Sequence, residues 1–217
     1  MTGPKMIGPK MVEPKMTGPK IAIVDYGAGN LSSVKKAFDH FGAEVVLTAR
    51  PEIVASADKI VLPGVGHFSA LSGLDNTGLR DAVLQGANAG KPFLGICLGM
   101  QWLFEGSDEA PEFAGAGFFA GRCRPFPSSV KSPHVGWNSL ALREGSRLLR
   151  NVAPDSFVYY THSFQAPVVA ATTAATEYGV QFSAVVEQDN IFGVQFHPEK
   201  SWTVGMLILK NFCEVKC

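Results

Sequence analysis

The residues Gly95-Ile96-Cys97-Leu98-Gly99 join a short apolar run, Phe93–Ile96, to a helical pattern. The form G-x-C-x-G is the thiol counterpart of the G-x-S-x-G nucleophile elbow. Small residues on either side allow a sharp, crowded turn that exposes the central side chain. A helix N-terminus behind Cys97 favours its thiolate. The Leu98 N–H is then placed to bind an oxyanion. The competing reading is a buried structural cysteine, the common fate of a free thiol.

A thiol nucleophile needs a base, and the base needs a group to orient it. His197 follows the apolar run Gly193–Phe196 and precedes Pro198 and Glu199. In extended chain, residues two apart point to one side, so Glu199 is expected to hold one imidazole nitrogen and leave the other for Cys97. His162 is an alternative base, but no carboxylate stands near it in the sequence. Pro63-Gly64-Val65-Gly66 is a flexible loop that could turn an N–H towards a developing oxyanion. It also reads as an ordinary strand-ending turn. It lacks the Lys-Ser/Thr ending of a phosphate loop. Cys213 and Cys217 stand four apart, half of a possible metal site, but with no further ligand nearby they read as unrelated thiols. No metal is expected. His40 and His67 read as surface residues, and His134 as a hydrogen-bonded structural residue.

These groups need elements to position them. Ile21–Val24, Val45–Leu47, Ile60–Leu62 and Phe93–Ile96 are short apolar runs suited to strands buried on both faces. Leu31, Val34, Phe38 and Phe41 recur at helical spacing between the first two, with Asn30 as N-cap and Gly42 as stop. Another helical pattern includes Leu79, Val83 and Leu84. The alternation predicts an α/β fold with a doubly wound, largely parallel sheet, and ligands bind such sheets beyond the carboxyl ends of strands. The second half is β-rich, with strands expected at 157–160, 168–173, 182–186 and 191–196 and a turn at Gln188–Asn190. A closing helix carries Val204, Leu207, Ile208 and Phe212.

The chain has 217 residues, 46% of them hydrophobic and 18% charged, which excludes a disordered chain. It has 19 basic and 19 acidic residues, a balance that argues against nucleic-acid binding. The first twenty residues hold four copies of a Pro-containing five-residue unit, four Lys and one Glu, so their charge is +3. The other 197 carry −3. Residues 1–19 are therefore expected to form a disordered repeated tail before one domain over residues 20–217. The longest apolar stretch, Phe93–Phe104, is too short to span a membrane. Four scattered cysteines (Cys97, Cys123, Cys213, Cys217) and the lack of a secretion signal predict reduced thiols and a cytoplasmic location.

At these motifs the sequence resembles the class I glutamine amidotransferases. The run 95–101, GICLGMQ, with His197-Pro198-Glu199 carries the resemblance to the class. VDYGAGNLSSV (24–34) and PHVGWN (133–138) give it a nearer likeness to the glutaminase subunits of imidazole glycerol phosphate synthase, in histidine biosynthesis. LPGVGHF (62–68), YYTHSF (159–164) and GVQFHPEKS (193–201) fall in the same order. Trp102 and Val135 depart from the pattern, standing where Leu and Met are usual. The resemblance runs from Lys20 to the C-terminus, and the repeated tail has no counterpart.

The resemblance implies a flavodoxin-like, class I amidotransferase fold. It also implies that Cys97, His197 and Glu199 hydrolyse L-glutamine, with an oxyanion held by backbone N–H groups of Gly64, Val65 and Leu98. Gly66, Gln101, Glu109, Ser163 and Phe164 would hold the substrate's α-amino and α-carboxyl groups. No cofactor is needed. It implies a cyclase subunit with a (β/α)₈ barrel that receives the ammonia, since the chain has no room for a second site. Asn30, Trp137, Tyr159 and Lys200 match positions near that partner, and the Gly64-Val65 peptide is the expected switch between inactive and active states. A stand-alone γ-glutamyl hydrolase, the glutaminase subunit of another amidotransferase, and a non-enzymatic binding module are the alternatives.

Overall fold

The computed structural model describes residues 18–216. All but the last residues of the repeated tail lie outside them, as does Cys217. Strand β1 (Lys20–Val24) leads to helix α1 (Leu31–Asp39), β2 (Glu44–Thr48), α2 (Pro51–Ser56) and β3 (Lys59–Gly64). Helices α3 (Ser72–Asn76) and α4 (Leu79–Asn88) follow, then β4 (Phe93–Cys97) and α5 (Leu98–Gln101). The second half holds β5 (Gly106–Ser107), β6 (Arg122–Pro125), β7 (His134–Ser139), β8 (Ala141–Leu142) and β9 (Phe157–His162). After these come β10 (Phe164–Gln165), β11 (Thr172–Glu177), β12 (Gln181–Gln188), β13 (Ile191–Val194) and helix α6 (Trp202–Glu214).

The main sheet has eight strands in the order β2-β1-β3-β4-β13-β12-β11-β8. The first five are parallel, and β12, β11 and β8 extend the sheet antiparallel. This is the expected largely parallel α/β sheet with a β-rich second half. Alternate residues of each buried strand feed opposite cores. Ile21, Ile23, Val61, Leu94 and Ile96 pack on one face with Val34 and Phe38 of α1 and Ile208, Leu209 and Phe212 of α6. Ala22, Val24, Ile60, Leu62 and Phe93 pack on the other with Val54, Leu79 and Val83 of α2 and α4. With helices on both faces, the carboxyl ends of β3, β4 and β13 are left as one edge of the sheet.

Several details differ from the sequence reading. The strand expected at 191–196 ends at Val194, where the chain bends towards His197. The strand expected at 168–173 lies at Thr172–Glu177. Val169 N–H donates to Thr172 Oγ1 at 2.9 Å and Thr172 N–H to the Val169 carbonyl at 3.0 Å, which closes a turn where the apolar residues had suggested a strand. Asn30 stands at the N-cap of α1 but makes no side-chain cap bond. The turn between β12 and β13 falls where it was expected, with Gln188 paired to Ile191 and Asp189 at φ +52°. Among the described residues no helix is long and apolar enough to cross a membrane.

Candidate active site

Cys97 ends β4 and stands directly before α5, with φ +54° and ψ −106°. A non-glycine residue held there stores strain on the order of 1–3 kcal/mol, which persists only where the surroundings enforce it. Two glycines make that turn possible. A β-carbon on Gly95 would lie 2.4 Å from the Gly99 carbonyl oxygen, and one on Gly99 would lie 1.8 Å from the Leu62 carbonyl oxygen. The α5 backbone is thus packed against β3 and β4 at a distance that only hydrogen side chains permit. Cys97 is 5% exposed.

Gly64 is paired with Cys97 across the β3–β4 ladder. A β-carbon on it would meet the Tyr26 hydroxyl at 2.3 Å and Leu98 Cβ at 2.8 Å. The Gly64 backbone is therefore brought beside the elbow and Leu98. Val65 and Gly66 continue outward and are exposed. The sequence did not single out Tyr26. Its hydroxyl is buried without a hydrogen-bond partner, and burial, with the nearby Cys97 sulfur, pushes its ionisation far up.

His197 leaves β13 beside β4. Its N–H donates to the Tyr159 carbonyl at 2.9 Å, and Ser201 Oγ donates to the His197 carbonyl at 2.6 Å, so the segment is clamped to β9. His197 Nδ1 lies 2.9 Å from Glu199 Oε1, with the two side chains 2% and 1% exposed. The pairing expected from the sequence is present, but its expected cause is not. Residues Pro198–Lys200 form a 3-10 turn, not extended chain. The tight turn brings the carboxylate back under the imidazole. His197 Nε2 is buried without a hydrogen-bond partner. Burial opposes the charged ring, yet Cys97 and Glu199 together outweigh it and hold the imidazole well above its ordinary range.

A cleft of about 230 Å³ opens beside Cys97. Gly66, Leu98, Gln101, Glu109, Ser163 and Phe164 all line it. Both N–H bonds of the Gln101 amide are engaged, to the Phe164 carbonyl at 2.8 Å and to Gln195 Oε1 at 3.1 Å. Its Oε1 is thereby left as an acceptor. Glu109 lies on the same cleft and takes the Phe68 N–H on Oε2 at 2.8 Å. An amide oxygen and a carboxylate on one small cleft suit a cationic amine.

The Glutamine amidotransferase class-I family profile matches residues 22–215 of this chain. The chain belongs to that family. It is 47% identical over 197 residues to the "Imidazole glycerol phosphate synthase subunit HisH" of Methanothermobacter thermautotrophicus, covering 90% of this chain and 98% of that one. Proteins of the same name from Pyrococcus furiosus and Deinococcus radiodurans are 45% and 43% identical, over 88% of this chain and 97% and 92% of theirs. A crystal structure of a glutamine amidotransferase superposes with a TM-score of 0.70 at 17% identity, over 89% of this chain and 97% of that one. PurLQS from Thermotoga maritima gives 0.67 at 19%, over 91% of this chain and 99% of that one. At that identity the two structures speak to the fold alone.

In this amidotransferase two of the other histidines, His134 and His162, have settled places, while His40 and His67 are exposed. His162 Nδ1 bonds the Phe164 carbonyl at 2.9 Å, and its Nε2 lies 3.2 Å from His134 Nδ1. Both ring nitrogens are thus occupied, which leaves His162 poorly placed to act as a base. Burial lowers the His134 imidazole to about 4 and the His162 imidazole to about 3. Of the residues matched to a partner surface, Lys200 Nζ lies 5.7 Å from the Tyr159 ring centroid, and the Trp137 and Tyr159 rings meet edge-on at 5.9 Å. Trp137 also packs on the exposed Trp202 at 4.4 Å. Asn30 precedes α1, which packs against the turn carrying Lys200. Among the described residues no group of three His, Cys, Asp or Glu is placed to hold a metal. Cys123 is fully buried, and burial raises its thiol.

Proposed function

We propose that this chain is the glutaminase subunit of an imidazole glycerol phosphate synthase, acting in histidine biosynthesis. The observation that carries the reading is identity of 43–47% to proteins of that name over 92–98% of their length. The Cys97 thiolate attacks the γ-carboxamide carbon of glutamine, and the tetrahedral oxyanion is held by N–H groups of Leu98 and of the Gly64-Val65 segment. His197, oriented by Glu199, gives a proton to the departing nitrogen as the C–N bond breaks. Water then attacks the glutamyl thioester, His197 takes a proton from it, and glutamate leaves with the thiolate restored. Gln101 Oε1 and Glu109 hold the α-ammonium, and the backbone at Gly66, Ser163 and Phe164 holds the α-carboxylate.

Released ammonia is mostly protonated at neutral pH and lost as a nucleophile, so a cyclase subunit with a (β/α)₈ barrel takes it directly. Trp137, Tyr159, Lys200 and Asn30 form part of the surface it covers. The reading is tested by measuring glutamate release by this chain alone, and with a cyclase subunit and its ribonucleotide ligand. Release that rises strongly in the complex is expected. High release by the chain alone, unchanged by the partner, would instead mark a stand-alone hydrolase.

A further inference from the structure

We propose that Gln195 is a positioning residue for the Cys97 sulfur, with its amide N–H aimed at the sulfur by Gln101 and the Phe164 carbonyl. Gln195 is fully buried in the otherwise apolar run Gly193–Phe196. A buried amide is costly unless both ends are bonded. Here Oε1 accepts from Gln101 Nε2 at 3.1 Å, and Nε2 donates to Cys97 Sγ at 3.7 Å. Residues 195 and 197 approach Cys97 from the same exit of β13, one with an N–H and the other with an imidazole.

The direction of every bond in this chain follows from one atom. The Phe164 carbonyl can only accept, so Gln101 must turn its nitrogen towards it. That nitrogen also meets Gln195, which must answer with its oxygen. Gln195 is left with N–H, never C=O, against the sulfur. The second lone pair of the same carbonyl takes the N–H of His162 Nδ1. His162 Nε2 is then an acceptor, His134 Nδ1 the donor to it, and His134 Nε2 the acceptor for Asn138 Nδ2 at 3.4 Å. Two buried arms meet at Phe164, one ending at the nucleophile and the other on β7. An N–H held against a sulfur stabilises thiolate more than thiol, so the first arm sets a fixed donor beside the atom that the reaction needs charged.

The proposal rests on Cys97 being the nucleophile, and its test uses no glutamine. The rate of Cys97 alkylation by iodoacetamide is followed against pH for the full chain, for Gln195→Glu and for Gln195→Met. The profile's midpoint is expected to move to higher pH, by about one unit for Gln195→Glu and by less for Gln195→Met. Gln101→Met cuts the arm one residue further back with Gln195 intact, and a smaller shift of the same sign is expected. Circular dichroism melts report folding separately. A residue that only fills space would lower the melting temperature and leave the midpoint alone. Folded variants with unmoved midpoints overturn the proposal. Lost glutaminase activity without a shift would do the same and leave the role of Cys97 standing.

Discussion

Gly99 lies directly against Leu62: a β-carbon on the glycine would stand 1.8 Å from the leucine's carbonyl oxygen. The contact is backbone to backbone, between the first turn of α5 and a central strand, and neither side can yield without moving the elbow. Gly99→Ala is therefore expected to destabilise the protein by about 3 kcal/mol or more, at the upper end of overpacking effects. Gly90→Ala is the matched control. Gly90 has φ +88° with nothing within 4 Å of an added β-carbon. Only the strain of a left-handed residue remains there, about 1–2 kcal/mol. Urea unfolding of both variants measures the difference, and equal losses would mean that the tight contact is not what fixes the turn.

Cys97→Ala removes the thiol and leaves the rest of the site. Loss of a triad nucleophile costs on the order of 10⁶-fold, so glutamate release is expected to fall to background. With a cyclase subunit present, ammonium salts should still support product formation, because ammonia no longer has to come from glutamine. Glutamate release and ammonium-driven synthesis, assayed side by side, check this. Near-native glutamate release from the variant would remove Cys97 from the chemistry.

Much of this arrangement was legible in the residues, because strands buried on both faces read as apolar runs. Ile21–Val24, Ile60–Leu62 and Phe93–Ile96 all lie in central strands, and the glycines around Cys97 announced a close turn. What stayed hidden depends on partners distant in sequence. β7 shows no clean alternation, and its register with β9, His134 opposite His162, is set by the pairing itself. Helix α2 buries only Val54, too little to leave a periodic pattern. The His197–Glu199 contact was foreseen from strand geometry, yet it is made by a 3-10 turn. Gln195 did leave a trace, as a polar residue within the otherwise apolar run Gly193–Phe196, but only the contacts with Gln101 and Cys97 give it meaning.

Tyr26 presents an unpartnered hydroxyl beside Gly64. A buried donor without an acceptor contributes nothing to offset its desolvation. Tyr26→Phe should thus leave stability unchanged or raise it by up to about 1 kcal/mol, since no bond is lost and the ring still fills its place. Thermal unfolding measures this directly. A loss of about 1 kcal/mol or more would mean that the hydroxyl has a partner in solution, with water or the Gly64 backbone as the candidates.

The paired imidazoles of His134 and His162 make stability depend on pH with a definite sign. His134 is enclosed by the rings of Phe126, Tyr160, Tyr178 and Phe182, and the hydrogen bonds fix both imidazoles as neutral. Their folded values, about 4 and about 3, lie below the ordinary 6.5 that they regain on unfolding. Between those limits the unfolded chain binds more protons than the folded one. Stability is therefore complete above about pH 6.5 and is lost progressively as pH falls towards 4. His197 has the opposite sign. Its folded value is raised, so its contribution is complete below 6.5 and is lost as pH rises above that. The two windows do not overlap, so between pH 6.5 and 5 the buried pair acts without opposition from His197. Melting temperatures of the native chain and of His134→Gln, taken across this range, should show a steep fall in the first and a shallower one in the second. Parallel curves would place the acid sensitivity elsewhere.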